Sequence, residues 1–322
     1  MTERNVTIEK FLQVNGQGRA LRKKLAGDAS GRRYERLIGG LMPMVLMDCP
    51  PDLLDVRPFL KIAKWLRQCG FTAPLIVAAD EDAGLVLMED LGDGLFSRIL
   101  SSDTEVADET ELYAAAVDVL VGLQALDQLP DLPAYDDEKM LEEASRFTRW
   151  YASTLSDRAK DAYLEIWRSL LPLTREGPAA LVYVDFHADN LLWLPGREGL
   201  SRVGLLDFQD ARLGPPAYDL VSLLEDARRD VSPELAEFMI ERYLKARPTL
   251  DEEGFRAAYA VLGAHRHCKV LGMIANWART GKPHYLALQD RVRTHLQRDL
   301  THPSLAALAA WFDDHIALNI AS

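Results

Sequence analysis

The sequence predicts an α+β protein, with a small mixed N-terminal lobe built on an antiparallel sheet (residues 1–91) and a larger, mainly helical C-terminal lobe (residues 92–322). Three observations carry this. Short apolar runs punctuated by turn residues fill the first ninety or so positions, as strands do. After Gly92 and Gly94 the 3.6-residue apolar period of helices takes over. A single hairpin pattern, with apolar runs joined by Pro195, Gly196 and Gly199, then interrupts the helices.

Taken in order, a helix is expected around Val6–Leu12, followed by strands at Tyr34–Ile38 and Met44–Met47 on either side of Gly39-Gly40. From Leu53 to Gln68 the apolar residues Leu53, Val56, Phe59, Leu60, Ala63 and Leu66 recur at three and four, and Gly70 stands where a helix stops. Leu75–Ala79 and Leu85–Met88 read as two strands around the acidic turn Asp80-Glu81-Asp82. Helices are expected over Glu109–Leu126, Asp137–Tyr151 and Arg158–Leu171, and again from Ala217 to the end, with breaks at Pro233, Pro248, Pro283 and Pro303.

Composition removes several functions. At 322 residues and 48% hydrophobic content the chain has ample material for a core. A net charge of −12 argues against a nucleic-acid grip or an anionic membrane surface, both of which need clustered cations. Three cysteines without C-x-x-C spacing indicate neither a disulfide framework nor a zinc knuckle, which fits a reducing cytoplasm. The charged N-terminus lacks the apolar core of a signal peptide, and no apolar run approaches the length of a membrane span. The expectation is a cytoplasmic protein with no nucleic-acid, membrane or obligate protein partner.

The chemistry lies in Leu181–Asp210, L-V-Y-V-D-F-H-A-D-N-L-L-W-L-P-G-R-E-G-L-S-R-V-G-L-L-D-F-Q-D. Leu191–Leu194 and Val203–Leu206 are the arms of the hairpin. Asn190 immediately precedes the first arm and Asp207 follows the second, so antiparallel pairing brings them to the same end of the ribbon. Asp185 sits five residues upstream on the loop leading in. Two carboxylates and a carboxamide crowded together call for a hard cation, and magnesium bridging ATP phosphates is the natural occupant. Asn190 and Asp207 then hold metal, while Asp185 orients, or takes the proton from, an attacking hydroxyl. Read as separate residues, Asp185, Asp189 and Asp207 are also ordinary turn and cap residues.

D-F-H-A-D-N followed by L-L-D-F resembles the catalytic loop and metal-binding Asp of aminoglycoside phosphotransferases and choline kinases, which share the protein-kinase-like two-lobed fold. The resemblance implies Asp185 as catalytic base, Asn190 and Asp207 as magnesium ligands, and Asp219, in G-P-P-A-Y-D-L, as the buttress of the catalytic loop. Tyr183 replaces the His that usually supports that loop. The N-terminal lobe is then nucleotide-covering. G-D-A-S-G-R-R-Y, Gly27–Tyr34, stands in for a phosphate loop through Ser30 with Arg32 or Arg33, although a plain hairpin turn reads the same way. V-L-M-E-D-L-G, Val86–Gly92, resembles the linker that pairs with adenine, using Met88, the Glu89 carbonyl and the Leu91 N–H. By the same resemblance Met47 or Asp48 occupies the place of the usual phosphate-binding Lys, and Phe59 that of its Glu partner.

G-D-A-S-G-R-R-Y, V-L-M-D-C-P-P, L-L-D-F-Q-D-A and D-L-V-S-L-L-E-D-A-R-R-D further resemble the bacterial anomeric sugar kinases that phosphorylate N-acetylmuramate and N-acetylglucosamine at carbon 1 in cell-wall recycling. An amino sugar offers hydroxyls to His187 and Asp189. Glu225 and Arg228, three apart on an expected helix, are placed to face it together, or else to form a solvated ion pair. Arg266 is a second candidate partner for a lactyl carboxylate. His265 and His267, two apart on a helix, point to different faces, which argues against a shared metal. Two alternatives stay open on the sequence: another small acceptor, such as an aminoglycoside, choline-like or amino alcohol, and a nucleotide-binding pseudokinase.

Overall fold

The computed structural model describes residues 3–25, 31–40, 42–102, 106–316 and 318. The chain divides into two compact units, each discontinuous in sequence: Met1–Ala115 with Asp189–Asp210, and Ala116–Ala188 with Ala211–Ser322.

The first unit opens with the expected helix, Glu3–Val14 (α1). A strand the sequence does not announce follows, Leu21–Lys24 (β1). L-R-K-K has no apolar alternation: β1 is an edge strand whose Lys23 and Lys24 are exposed and whose Arg22 pairs with Glu35 at 2.5 Å. Arg33–Ile38 (β2) and Met44–Asp48 (β3) form the expected hairpin. The next helix starts at Arg57 rather than Leu53 (α2, Arg57–Gln68): Pro58 sits in its first turn, where a missing N–H costs nothing, and the Asp55 carboxylate accepts from the Arg57 N–H at 3.0 Å. Residues 53–56 are therefore the entry to the helix. Ile76–Asp80 (β4) and Leu85–Glu89 (β5) complete an antiparallel sheet of order β1-β2-β3-β5-β4 among the described residues.

Register explains which face each side chain takes. Leu37, Met44, Leu46, Leu85 and Leu87 share one face and pack on Ile8 and Leu12 of α1. Asp48 shares it and is bound by Arg4 at 2.5 Å. Met47, opposite Val86, points to the other face. Phe96–Leu100 (α3) and Glu109–Gln124 (α4) follow.

In the second unit Asp137–Arg146 (α5) is capped by Asp136, and Asp157–Leu170 (α6) by Ser156. The helix expected to run through Tyr151 leaves α-geometry at Phe147 and continues as a π-turn, Phe147–Tyr151. A short strand, Ala180–Val182 (β6), leads to the loop that carries Asp185. The chain then crosses to the first unit for the predicted hairpin, Leu191–Trp193 (β7) and Val203–Leu205 (β8). It returns as Arg212–Gly214 (β9), which pairs antiparallel with β6. Unlike β7 and β8, the three-residue strands β6 and β9 are not joined by a local turn, and neither is anticipated from the sequence. Ala217–Leu224 (α7), Pro233–Ala246 (α8), Glu252–Arg279 (α9), Gln289–Asp299 (α10) and Ala306–His315 (α11) complete the unit. Pro233 opens α8, Pro283 a six-residue 3₁₀ segment and Pro303 a 3₁₀ turn, so these three prolines act as starts, while Pro248 falls in the connection between α8 and α9.

The 28-residue α9 is the axis of this unit, buried along most of its length. Its Gly272 lies against the π-turn so closely that a β-carbon there would stand 2.5 Å from the Arg146 carbonyl carbon and 2.8 Å from the Phe147 nitrogen. Both obstacles are backbone and cannot rotate away. Gly272→Ala is therefore expected to destabilise the fold by about 2 kcal/mol, as overpacking of a tight core does. Thermal unfolding of the variant checks this; an unchanged midpoint contradicts the packing.

Candidate active site

In the first unit, β7 and β8 pair with Leu191 opposite Leu205, and the Leu206 N–H donates to the Asn190 carbonyl at 3.0 Å. Asn190 and Asp207 therefore flank the same end of the ribbon. Asp207 has φ +62°, a left-handed conformation that an Asp tolerates at some cost. Gln209 Nε2 donates to its Oδ1 at 2.8 Å, and Arg32 Nη1 lies 3.7 Å from the same oxygen. A carboxamide oxygen and a carboxylate at one ribbon end are hard oxygen donors of the kind magnesium takes, so the residues present fit that ion.

Arg32 is 6% exposed, whereas the Arg33 side chain is 69% exposed and lies 3.8 Å from Asp48. Beside Arg32 stands Cys49, whose thiol is pushed up by burial and pulled down in part by the guanidinium. Ser30 lies outside the described residues. At the positions where the resemblance places a Lys–Glu pair, Met47 is wholly buried, Asp48 binds Arg4, and the Phe59 ring stacks on Phe208, centroids 4.9 Å apart. An aromatic stack thus occupies the place of an ion pair, next in sequence to Asp207.

The linker Met88-Glu89-Asp90-Leu91 leaves the end of β5. The Glu89 N–H donates to the Leu75 carbonyl at 2.9 Å, and Asp90 is held by Arg36 at 2.5 Å. Met88 is buried, while Glu89 and Leu91 are half-buried.

In the second unit the loop carrying Asp185 is pinned from below. The buried Asp219 carboxylate accepts from the Tyr183 N–H at 2.5 Å and the Val184 N–H at 2.9 Å. Burial pushes Asp219 up to about 7, with those two N–H groups and Arg266 pulling the other way. Val184 has φ +79°, a costly conformation for a β-branched residue. The strain stands immediately before Asp185 and is maintained by Asp219. Tyr183 is fully buried, edge-on to Phe186 at 5.4 Å.

The sugar candidates separate. Asp189 is exposed. His187 is 4% exposed and held well below its usual range by burial, then by Arg228 and Arg266. Arg266 is buried, 3.4 Å from the Val184 carbonyl and 3.5 Å from the Tyr218 hydroxyl. Arg228 is the more accessible, its side chain 40% exposed and 3.5 Å from Asp226.

The expectation that Glu225 and Arg228 share a helix face is corrected: α7 ends at Leu224, and Glu225 is the cap residue that follows. Its side chain turns inward, 3.0 Å from Arg298 and 3.5 Å from His267. His267 in turn binds Asp299 at 2.7 Å. Burial raises Glu225 to about 7 and depresses His267 to about 4. Arg298 brings a positive charge against the buried carboxylate of Glu225. His265 faces elsewhere, 2.8 Å from the Met140 carbonyl.

Lys269, which the sequence reading passes over, is buried 2.8 Å from Glu143 and 3.3 Å from the Tyr218 hydroxyl. Burial acts to raise Glu143, but the charge of Lys269 prevails and holds it at about 2. The available signal was its position, three residues after Arg266 on one helix.

An antiparallel five-stranded sheet, a ribbon presenting Asn190 and Asp207, and a loop buttressed by Asp219 define a protein-kinase-like fold. Solved structures agree. Choline kinase LicA from Streptococcus pneumoniae is similar with a TM-score of 0.67 over 92% of this chain and 100% of its own, at 12% identity. A choline/ethanolamine kinase family protein from Mesorhizobium loti is similar with a TM-score of 0.67 over 96% and 98%, at 14% identity. The chain belongs to the phosphotransferase enzyme family, whose model matches residues 22–259. It is 38% identical to the N-acetylmuramate/N-acetylglucosamine kinase of Caulobacter vibrioides over 98% of this chain and 97% of that one. It is 33% identical to the protein of that name from Pseudomonas putida over 88% and 85%.

Proposed function

We propose that this chain is an ATP-dependent kinase that phosphorylates N-acetylmuramate and N-acetylglucosamine on the anomeric hydroxyl, in the cytoplasm. The observation that carries this reading is the near full-length similarity to the Caulobacter vibrioides kinase. Among the described residues no helix is long and apolar enough to cross a membrane.

Asp185 is the residue assigned to the acceptor hydroxyl, which it orients and whose proton it accepts. An anomeric hydroxyl is more acidic than an ordinary alcohol and asks less of that base. Asn190 and Asp207 would hold magnesium, which when bound supplies charge neutralisation for the phosphates. Residues 1–91 cover the nucleotide. Arg32 is favoured over Arg33 as the phosphate cation, since it sits nearly buried beside Asp207. His187 and Asp189 are assigned to sugar hydroxyls. Arg228 is favoured over Arg266 for the lactyl carboxylate, because Arg266 is buried against Val184 and Tyr218.

Incubation with MgATP and either sugar, read by phosphorus NMR, tests the regiochemistry. The expected product carries phosphate on carbon 1 and shows coupling to the anomeric proton. A 6-phosphate product rejects the anomeric assignment, and no product with either sugar rejects the acceptor class.

A further inference from the structure

The hairpin β7–β8 is stitched to the N-terminal sheet and its linker at three places, all inside the first unit. On the β8 edge, the Leu205 N–H donates to the Thr72 carbonyl at 2.7 Å, and Thr72 Oγ1 donates to the Ser201 carbonyl at 2.7 Å. On the β7 edge, the Trp193 N–H donates to the Gly94 carbonyl at 2.7 Å, an approach so close that a β-carbon on Gly94 would lie 2.6 Å from the Trp193 oxygen. At the closed end, Arg197 spreads its fork: Nη2 donates to Glu89 Oε1 at 2.7 Å and Nη1 to Thr72 Oγ1 at 3.1 Å.

Glu89 is the hub. Its second oxygen accepts from the Leu75 N–H at 3.1 Å and from Arg67 at 3.3 Å, while Arg67 also donates to the Ala73 carbonyl at 2.9 Å. One carboxylate thus gathers the end of β5, the segment before β4, α2 and the hairpin turn. A planar fork divided between two acceptors fixes direction as well as distance, which a lysine ammonium does not.

We propose that Arg197 is a positioning residue for the nucleotide: through Glu89 and Thr72 it locks the adenine-contacting linker to the ribbon whose other end presents Asn190 and Asp207. This rests on the nucleotide and metal roles given above. The ribbon arms are only three residues long, so a tilt at the turn is delivered to the metal end with little loss. Adenine contact and metal–phosphate contact are therefore set together. Loosening the fork weakens nucleotide binding and raises the magnesium requirement while leaving the sugar side alone.

The test is direct calorimetric binding of ATP, with and without magnesium, to the wild-type chain and to Arg197→Ala, Arg197→Lys and Thr72→Val, alongside steady-state kinetics and thermal unfolding without ligand. Arg197→Ala is expected to weaken MgATP binding about tenfold and to raise the magnesium concentration for half-maximal rate severalfold. The sugar KM should stay within twofold. Arg197→Lys should recover less than half of the loss, and Thr72→Val, which keeps the ion pair, should show a smaller loss in the same direction. If a folded Arg197→Ala binds MgATP as the wild type does, or if sugar and nucleotide KM rise equally, the positioning role is overturned. If Arg197→Ala does not fold, Thr72→Val decides by the same criterion. Failure of the wild-type chain to bind ATP at all would instead overturn the kinase reading.

Discussion

Asp185→Asn is expected to lower kcat by about a thousandfold, within the range general base catalysis contributes, while nucleotide affinity stays within twofold of wild type. The substitution keeps size and shape but removes the negative charge, and with it the ability to accept a proton. The backbone around it is held by other groups: Asp219 takes the Tyr183 and Val184 N–H groups, and Arg266 lies against the Val184 carbonyl. None of these contacts uses the Asp185 side chain, so the φ +79° turn at Val184 should survive. Asp207→Ala provides the contrast, because it removes a proposed metal ligand and should weaken magnesium-dependent nucleotide binding as well as turnover. Rapid-quench turnover with calorimetric binding separates the two variants. Turnover of Asp185→Asn within tenfold of wild type, or equal loss of nucleotide binding in both, contradicts the division of roles.

What was legible in the sequence depended on how local the physics was. The ribbon at β7–β8 could be read because its turn residues, apolar arms and flanking Asn190 and Asp207 all lie within about twenty positions. The Asp219 buttress came from motif resemblance, and its contact with residues 183 and 184 is made over a long chain separation. The helix face expected for Glu225 and Arg228 is not formed because both lie past the end of α7 at Leu224, where the cap turns the Glu225 side chain inward to Arg298 and His267. Charge alone cannot tell a solvent-facing Glu from one paired across a core. The Arg197–Glu89 tie joins residues 108 apart, and neither carries a local signal. β1, β6 and β9 escaped because short or edge strands do not need an alternating pattern.

The second large effect concerns Arg32. A kinase usually meets the phosphates with a Lys on the third strand, fixed by a helix Glu; here Met47 is wholly buried, and Phe59, on the helix, stacks on Phe208. On the proposed assignment the positive charge is moved rather than lost. Arg32 precedes β2 and brings Nη1 within 3.7 Å of Asp207, while the neighbouring Arg33 points to solvent and to Asp48. A guanidinium also needs no partner Glu to stay charged, which is consistent with an apolar stack in place of the ion pair. Charge-assisted bonds to an anion contribute roughly 1.5–3 kcal/mol each, so Arg32→Ala should lower kcat/KM for ATP by about a hundredfold. Arg33→Ala should change it less than twofold. Arg32→Lys should recover part of the rate, since charge is restored without the fork. Steady-state kinetics with ATP varied at saturating sugar makes the comparison. A larger loss in Arg33→Ala than in Arg32→Ala reverses the assignment, and small losses in both place the phosphate cation elsewhere in the chain.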